Sequence, residues 1–202
     1  MKQKLVLITN GSGGSGKDEI AKYMQASGKK VYKYSAVTKI KDICAMMGCD
    51  PHSKTERNRA FMHDIKMLTV GYNDLPFQDM KDIYDAFMAE KLPPSANDKY
   101  CDFRSDFPVA EILILDIREP SEITKAVSGF DAATILVKRP SVKQITSNYA
   151  DASVSDYAYD VILINNGTLE DLKGTTNKML NYLMMVRRKG NEQVTFTCKG
   201  GR

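Results

Sequence analysis

The sequence predicts an α/β fold, in which helices cover both faces of a parallel β-sheet. Four short apolar runs are nearly continuous, as expected for strands buried on both faces; they are Leu5 to Ile8, Ile112 to Leu115, Ile135 to Val137 and Val161 to Ile164. A fifth run, Lys30 to Tyr34, alternates polar and apolar residues and predicts a strand nearer the sheet edge. Stretches with helical periodicity separate these runs, which is typical of a doubly wound sheet. We therefore expect three layers around a five-stranded parallel sheet.

Length and composition favour one ordinary globular domain. The chain has 202 residues, of which 43% are hydrophobic and 27% charged, so residues 1–202 are expected to form a single domain. A net charge of +4 is too small to indicate nucleic-acid binding, although it suits a small anionic substrate. The N-terminal apolar run is too short for a signal peptide or a membrane span. We expect a cytoplasmic protein with no membrane partner, and a homodimer is compatible with the sequence.

Two capping patterns predict where helices begin. Ser53 and Glu56 have the spacing of a capping box ahead of an apolar stripe that includes Leu68. Thr168 and Asp171 can cap a long helix near the C-terminus.

Two segments are longer than a simple connection requires. About 75 residues, mostly with helical patterns, separate the edge strand from the next buried strand, and a connection of that length is usually functional. We interpret residues 35–108 as a helical insert and residues 139–156, which are polar, as a lid. The tail from Gln193 to Cys198 alternates like a short extra strand, but its partner cannot be predicted.

Residues 10–19, NGSGGSGKDE, fit two phosphate-binding patterns. They match the dinucleotide pattern G-x-G-x-x-G and nearly match the P-loop (Walker A) pattern G-x-x-x-x-G-K-[ST]. The dinucleotide pattern needs an acidic residue about 20 positions later, at the end of the second strand. The next acid, Asp42, lies instead in a helical stretch. The P-loop pattern needs a strand before it, a helix after it and Lys17 directly behind the last glycine, and the sequence supplies all three.

Phosphate binding explains these residue types. Glycines allow backbone N–H groups to form a concave nest for phosphates, and the helix N-terminus adds its partial positive charge. Lys17 can then follow a transferred phosphoryl group. The predicted nucleotide-binding residues here are Gly13, Gly14, Ser15, Gly16, Lys17, Asp18 and Glu19. The alternative is a glycine-rich hairpin in which the lysine has no special role.

Asp18 stands where most P-loops have a hydroxyl that contacts Mg²⁺. A carboxylate at this place could bind the ion or one of its waters. Asp116 is a second magnesium candidate, or a residue that orients the acceptor, because it lies at the carboxyl end of a buried strand where such sheets bind ligands. The structural alternatives are that Asp18 and Glu19 favour the first helical turn through its dipole, and that Asp116 caps the next helix.

The GKD ending of the loop is similar to the P-loop of deoxynucleoside monophosphate kinases of the phage and bacterial type. Three longer segments also resemble that family; they are LDIREPSEITKAV (115–127), ILVKRP (135–140) and DVILINNGTLEDL (160–172). A weaker similarity covers SAVTKIK (35–41). The sequence departs from the family pattern at Glu19, at Lys39 and in DASVSD (151–156).

The resemblance implies a P-loop NTPase fold and ATP-dependent phosphoryl transfer, with Mg²⁺, to a nucleoside or deoxynucleoside monophosphate. It implies that Arg118 clamps the acceptor phosphate and that Arg139 opens the lid. Ser35 and Lys41 would bind the acceptor at the start of the insert. The base of ATP is expected near Asn165 and Gly167. The expected catalytic residues are Lys17, Asp116, Arg118 and Arg139.

Other functions remain open at this stage. A kinase for another phosphorylated acceptor, such as dephospho-CoA, would use the same loop. A nucleotide-binding module without catalysis is compatible with Glu19 and the altered lid segment. A nicotinamide-dependent oxidoreductase fits least, because the acidic residue that would bind the ribose is missing.

Overall fold

The protein is described here by a computed structural model that covers residues 4–53, 55–92, 109–142, 153–186 and 193–198. Within these residues it is an α/β structure with one six-stranded, entirely parallel sheet of order β2-β3-β1-β4-β5-β6. The strands are β1 (Leu5–Asn10), β2 (Val31–Ser35), β3 (Ile112–Asp116), β4 (Ala133–Lys138), β5 (Val161–Ile164) and β6 (Val194–Thr197). The predicted α/β class with a parallel sheet is confirmed, and β2 lies at an edge of the sheet as its alternating pattern indicates.

The predicted number of five strands is wrong, because the C-terminal tail adds a sixth. β6 runs parallel to β5, with Val194 opposite Val161, and the N–H of Val194 donates to the carbonyl of Asp160 at 2.9 Å. The short alternating pattern of the tail indicates a strand. Its partner is set by distant contacts with β5, which no local pattern reports.

Six α-helices accompany the strands in the described parts of the chain. They are α1 (Lys17–Ala26), α2 (Thr38–Met46), α3 (Glu56–Asn73), α4 (Leu75–Met88), α5 (Pro120–Phe130) and α6 (Leu169–Met185). The capping box of Thr168 and Asp171 is confirmed at the start of α6. The cap predicted at Ser53 is wrong, since Thr55 accepts the N–H of Asn58 and α3 begins at the next residue.

The helices form a layer on each face of the sheet. Helices α4 and α5 pack on one face; their buried residues are Met80, Ile83, Phe87, Ile123, Ala126 and Phe130. Helices α1 and α6 pack on the other face; their buried residues are Ile20, Ala21, Met24, Leu172, Met179, Leu180 and Leu183. Among the described residues, no helix is both long and apolar enough to cross a bilayer.

The two segments predicted to be specialised are described in part. Helices α2, α3 and α4 lie between β2 and β3, so residues 35–53 and 55–92 of the predicted insert are mostly helical. Residues 93–108 of the insert and 143–152 of the predicted lid lie outside the described residues. The end of the lid segment is a short 3-10 turn, Ser153–Ser155.

Candidate functional site

The carboxyl ends of β1 and β3 form a crevice. These strands are neighbours, and Thr9 lies opposite Asp116 in their register. The helix that follows β1 packs on one face of the sheet, whereas the helix that follows β3 packs on the other. Loops that leave adjacent strands towards opposite faces open a gap, and parallel sheets bind their ligands there. Both the glycine-rich segment and the Asp116 segment begin in this gap.

The backbone conformation of the glycine turn, residues 11–16, would be strained with residues other than glycine. Gly11, Gly14 and Gly16 have φ angles of 149°, 79° and 104°. A Cβ atom on Gly11 would lie 2.4 Å from the carbonyl oxygen of Val137, and one on Gly16 would lie 2.8 Å from Nδ2 of Asn165. The first and last glycines are therefore required by both backbone angle and space.

The turn leaves polar groups available at the start of α1. Gly16 is the N-cap of α1 and supplies no side-chain cap. The N–H of Ser15 donates to Ser12, but no backbone carbonyl in the described part of the chain accepts the N–H groups of Gly13, Gly14 or Gly16. The hydroxyl of Ser15 is buried without a hydrogen-bond partner among the described residues. Such donors at a helix N-terminus are suited to binding an anion.

Lys17 reaches back across the turn. Its ammonium donates to the carbonyls of Gly11 and Ser12, the latter at 3.3 Å. An ammonium has three N–H donors, so two bonds to the turn leave one for another acceptor. Burial lowers the pKa of Lys17 against the opposing effect of Asp116. The cation is thus held at the turn by its own loop.

Asp116 is joined to the strands on both sides of it. The hydroxyl of Thr9 on β1 donates to Oδ1 of Asp116, and Nζ of Lys33 on β2 lies 2.9 Å from Oδ2. The same ammonium also pairs with Oδ1 of Asp18 on α1. Lys33 therefore connects the two carboxylates that the sequence suggests as magnesium ligands. Sequence reasoning missed it, because a polar residue in an alternating strand indicates only an edge position.

Electrostatics favour the charged forms of this cluster. Burial alone would lower the pKa of Lys33, but Asp116 and Asp18 outweigh it and raise the pKa. Burial would likewise raise the pKa of Asp18, but the hydrogen bond and the charge of Lys33 lower it. Both partners shift in the direction expected of an ion pair.

The donor chemistry of the cluster fits magnesium only in part. Asp18 and Asp116 offer the hard carboxylate oxygens that Mg²⁺ prefers, and both face one cationic nitrogen. Within the described residues, no group of three or more His, Cys, Asp and Glu side chains could hold a metal ion. A magnesium ion would therefore need oxygen ligands from a bound phosphate or from water, as Mg²⁺ commonly has.

The two predicted arginines lie on opposite sides of the glycine turn. Arg118 is exposed in the loop after β3, and its charge is one of the causes that lower the pKa of Lys17. Its backbone carbonyl accepts Nδ2 of Asn10 at 3.0 Å. Arg139 is exposed after β4, and its Nη1 lies 3.5 Å from the carbonyl oxygen of Gly14. The structure thus brings both residues to the turn from different strands.

Asn165, predicted near the base of ATP, contacts the glycine turn. Its backbone N–H donates to Lys138 at 2.7 Å, and its side-chain Nδ2 donates to the carbonyl of Ser15 at 2.9 Å. The residue is buried. Gly167 is close to the capping carboxylate, since a Cβ there would lie 2.7 Å from Oδ2 of Asp171. Asn165 therefore supports the glycine turn, and Gly167 makes room for the cap of α6.

The remaining predicted residues differ in how near they lie to the turn. Ser35 ends β2 directly opposite Asp116 in the sheet register, so it lies at the crevice. Glu19 pairs with Lys22 at 2.6 Å along α1. The N–H of Lys41 on α2 donates to the carbonyl of Val37 at 3.0 Å, and no backbone hydrogen bond among the described residues joins Lys41 to the glycine turn. The backbone of Glu19 therefore adjoins the turn, since its N–H donates to the carbonyl of Gly16 at 3.1 Å, whereas its carboxylate pairs with Lys22.

A cavity of about 210 Å³ adjoins the glycine turn on the side of β4. It lies between the turn, the carboxyl end of β4 and the 3-10 turn at Ser153–Ser155. Its lining residues are Ser12, Ser15, Leu136, Val137, Lys138, Arg139, Val142, Val154 and Ser155. Ser15 and Arg139 thus line the same space.

Comparisons with known proteins identify no family. No family model matches the chain, and no curated protein matches it. The crystal structure of APE1195 aligns with 93% of this chain and 99% of that chain, at 13% sequence identity and a TM-score of 0.40. TT1252 from Thermus thermophilus aligns with 94% of this chain and 100% of that chain, at 16% identity and a TM-score of 0.40. Similarity at this level says nothing about function, so functional inference depends on the site itself.

Proposed function

We propose that this chain is an ATP-dependent kinase of P-loop fold that phosphorylates a nucleoside or deoxynucleoside monophosphate. The observation that carries the proposal is the junction of the glycine turn with α1. Backbone N–H groups without backbone acceptors in the described residues, the buried hydroxyl of Ser15 and the ammonium of Lys17 meet there. These groups suit a triphosphate tail better than a neutral ligand.

The groups around the turn support phosphoryl transfer as its use. In such reactions the protein chiefly positions two anions and stabilises the negative charge between them. The turn and Lys17 would hold the donor phosphates. Arg118 would bind the acceptor phosphate from the β3 side, and Arg139 would approach from the β4 side. Mg²⁺, when bound with the donor, would neutralise charge on the transferred group.

The acceptor is proposed to lie between β3 and the helical insert. Ser35 ends the strand beside Asp116, and α2 begins three residues later. The chain from α2 to α4 then returns to β3, so an acceptor held by Arg118 would lie under these helices. The donor and acceptor would thus approach Lys17 from opposite sides.

The proposal is tested by following ADP formation from ATP and Mg²⁺ with a panel of acceptors. The panel contains nucleoside and deoxynucleoside monophosphates with each common base, and dephospho-CoA. One nucleoside monophosphate should stimulate turnover strongly. Lys17→Ala should reduce that turnover by about 10²- to 10³-fold, because a donor to the developing charge is lost. Lys22→Ala, on the exposed side of the same helix, is the matched control and should keep full activity.

Two outcomes would redirect the proposal. Turnover with dephospho-CoA alone would select a kinase for that other acceptor. ATP binding without turnover on any acceptor would indicate a nucleotide-binding module, and equal activity of the Lys17 and Lys22 variants would contradict the assigned role of Lys17.

A further inference from the structure

Lys33 places its ammonium between two carboxylates. Its ammonium pairs with Oδ1 of Asp18 and lies 2.9 Å from Oδ2 of Asp116, and only 12% of its side chain is exposed. These two carboxylates come from different elements, α1 and β3. Lys33 comes from a third, β2. Three elements of the fold therefore meet at one ammonium.

The path of Lys33 to this position follows from the strand pattern. Side chains alternate between the faces of a sheet, so Lys33 shares a face with Val31. Val31 is buried in the core beneath α1, whereas Tyr32 belongs to the core on the opposite face. The stem of Lys33 thus runs along the α1 side of the sheet and carries its charge to the carboxyl edge, where Asp18 and Asp116 lie.

Without this ammonium the two carboxylates would be a paired negative charge beside the glycine turn. Like charges at short range repel strongly where water is partly excluded. A divalent ion is the other usual means of holding two carboxylates together. Lys33 supplies one positive charge between them. A divalent ion that bound both carboxylates directly would therefore have to displace the ammonium or lie beside its like charge.

We propose that Lys33 is a built-in substitute for a divalent ion between Asp18 and Asp116, and that it prevents the nucleotide-free protein from binding such an ion there. The proposal deepens the proposed function, because the same two carboxylates are its predicted magnesium ligands. It makes Lys33 a positioning residue: it holds the carboxylates in place before any nucleotide arrives. Divalent ions would then enter the site only together with a phosphate that adds negative charge.

A purely structural ion pair leads to a different expectation. If Lys33 only stabilises the fold, its replacement lowers stability and creates no metal site. If Lys33 occupies the place of an ion, its replacement by an uncharged side chain leaves two carboxylates that bind a divalent ion. Divalent-ion binding by the free protein therefore separates the two roles.

The test is a Mn²⁺ titration of the whole chain without nucleotide or acceptor, followed by the electron paramagnetic resonance signal of free Mn²⁺. Lys33→Met should bind one Mn²⁺ at least about tenfold more tightly than the wild-type protein, because a repelling charge is removed. Mg²⁺ should compete for the site. The double variant Lys33→Met/Asp116→Asn should lose it. Lys33→Arg and the exposed-pair control Lys22→Met should behave like the wild type.

Mn²⁺ binding by the wild-type protein still tests the proposal if Lys33→Met folds poorly. Tight Mn²⁺ binding by the wild-type protein that is lost in Asp18→Asn would overturn the proposal, as would equal Mn²⁺ affinity of the wild type and a folded Lys33→Met or Lys33→Gln. A Lys33→Met protein whose unfolding temperature rises with Mn²⁺ more than that of the wild type would support it. Because no nucleotide is present, these results do not depend on whether the chain is a kinase.

Discussion

The glycine turn and helix α3 are held in place in opposite ways. The turn is fixed by buried side chains and by backbone angles that suit glycine. The structure describes all 18 residues of helix α3, and among them Lys66 alone is buried. The glycine turn therefore has its shape without a bound ligand. Helix α3 is attached by contacts that cost less to rearrange.

Asn10 and Asn165 support the turn from its two ends. Oδ1 of Asn10 accepts the N–H of Gly11 at 2.8 Å, and its Nδ2 donates to the hydroxyl of Tyr159 at 2.7 Å. Asn165 donates to the carbonyl of Ser15 from the opposite side. Both asparagines are buried. Buried, satisfied polar networks of this kind rigidify the backbone they contact.

Helix α3 has exposed apolar side chains and is attached to α5 by ion pairs of one lysine. Met67, Leu68 and Tyr72 are exposed by 52%, 70% and 89%. Nζ of Lys66 lies 2.6 Å from Glu119 and 2.7 Å from Glu122 at the start of α5. Glu119 directly follows Arg118, the proposed acceptor ligand. The position of the insert is therefore linked to the loop that carries this arginine.

Gly11→Ala should give the largest loss of stability if the turn is the rigid region. The new Cβ would lie 2.4 Å from the carbonyl of Val137, in a backbone conformation that alanine avoids. We expect the free energy of unfolding to fall by about 4 kcal/mol in denaturant titrations. Gly28→Ala is the matched control, since Gly28 has a φ of 86° with no atom within 4 Å of its would-be Cβ. It should cost about 1–2 kcal/mol, and equal losses would show that space at Gly11 is not restrictive.

Lys66→Met should loosen the attachment of α3 to α5. It leaves the carboxylates of Glu119 and Glu122 without their shared partner, and burial already raises the pKa of Glu122 despite that partner. Loss of one member of such a poorly exposed pair costs about 3 kcal/mol of unfolding free energy. Amide hydrogen exchange should also become faster in α3 than in α1. The control is Lys125→Met, which breaks an exposed pair with Asp74 and should cost less than about 1 kcal/mol.

A result in which the Lys66 and Lys125 variants are equally stable would contradict the view that a charge ties α3 to α5. A Lys66 variant with faster exchange in α1 as well would mean that the two regions open together. Either result would remove the contrast between a fixed turn and a loosely attached α3.

Tyr159→Phe tests the support beneath the turn by removing one oxygen. The hydroxyl of Tyr159 donates to the carbonyl of Val154 at 2.8 Å and accepts from Asn10. Its loss should cost about 1–3 kcal/mol, because buried polar groups lose their partner. Burial also raises the pKa of Tyr159 to about 12. Tyr84→Phe, on a partly buried tyrosine packed against Phe130, is the control; a similar cost there would mean that the Asn10 network adds nothing.

The smallest expected effect is the pH dependence of the α6 cap. Hydrogen bonds from Thr168 lower the pKa of Asp171. A carboxylate with a lowered pKa adds stability above its unfolded pKa of about 3.9, and that stability is lost as the pH falls through the folded value. The difference in unfolding free energy between wild type and Asp171→Ala should therefore shrink on acidification. Glu170→Ala, an exposed neighbour, should show less change; a pH-independent difference for Asp171→Ala would exclude the cap as its cause.

Most of the fold could be predicted because each central strand carries its own apolar run. The partner of β6 could not, since four alternating residues say nothing about which strand they join. The apolar stripe that includes Leu68 indicates a helix, and α3 is one. The same stripe suggests burial that Leu68 does not have, because burial depends on what packs against the helix.

The part of the candidate site that depends on local backbone conformation could be predicted from the sequence. Gly16 and Lys17 follow from one short motif, and the strand ends bring Asp116 near them by parallel topology. Lys33 could not be predicted, because its two carboxylate partners lie on other elements. The role of Asn165 was also hidden, since a loop residue after a strand gives no sign that its side chain reaches back to Ser15.

The most direct test of the central claim is to observe the amides of the glycine turn while ATP is added. The measurement is a ¹H–¹⁵N NMR titration with ATP and Mg²⁺, compared with NADH. If the turn is a triphosphate-binding nest, the signals of Gly13, Gly14, Gly16 and Lys17 shift most with ATP, and little with NADH. Saturating ATP that leaves these signals unchanged, or that shifts only signals remote from the turn, would contradict the account.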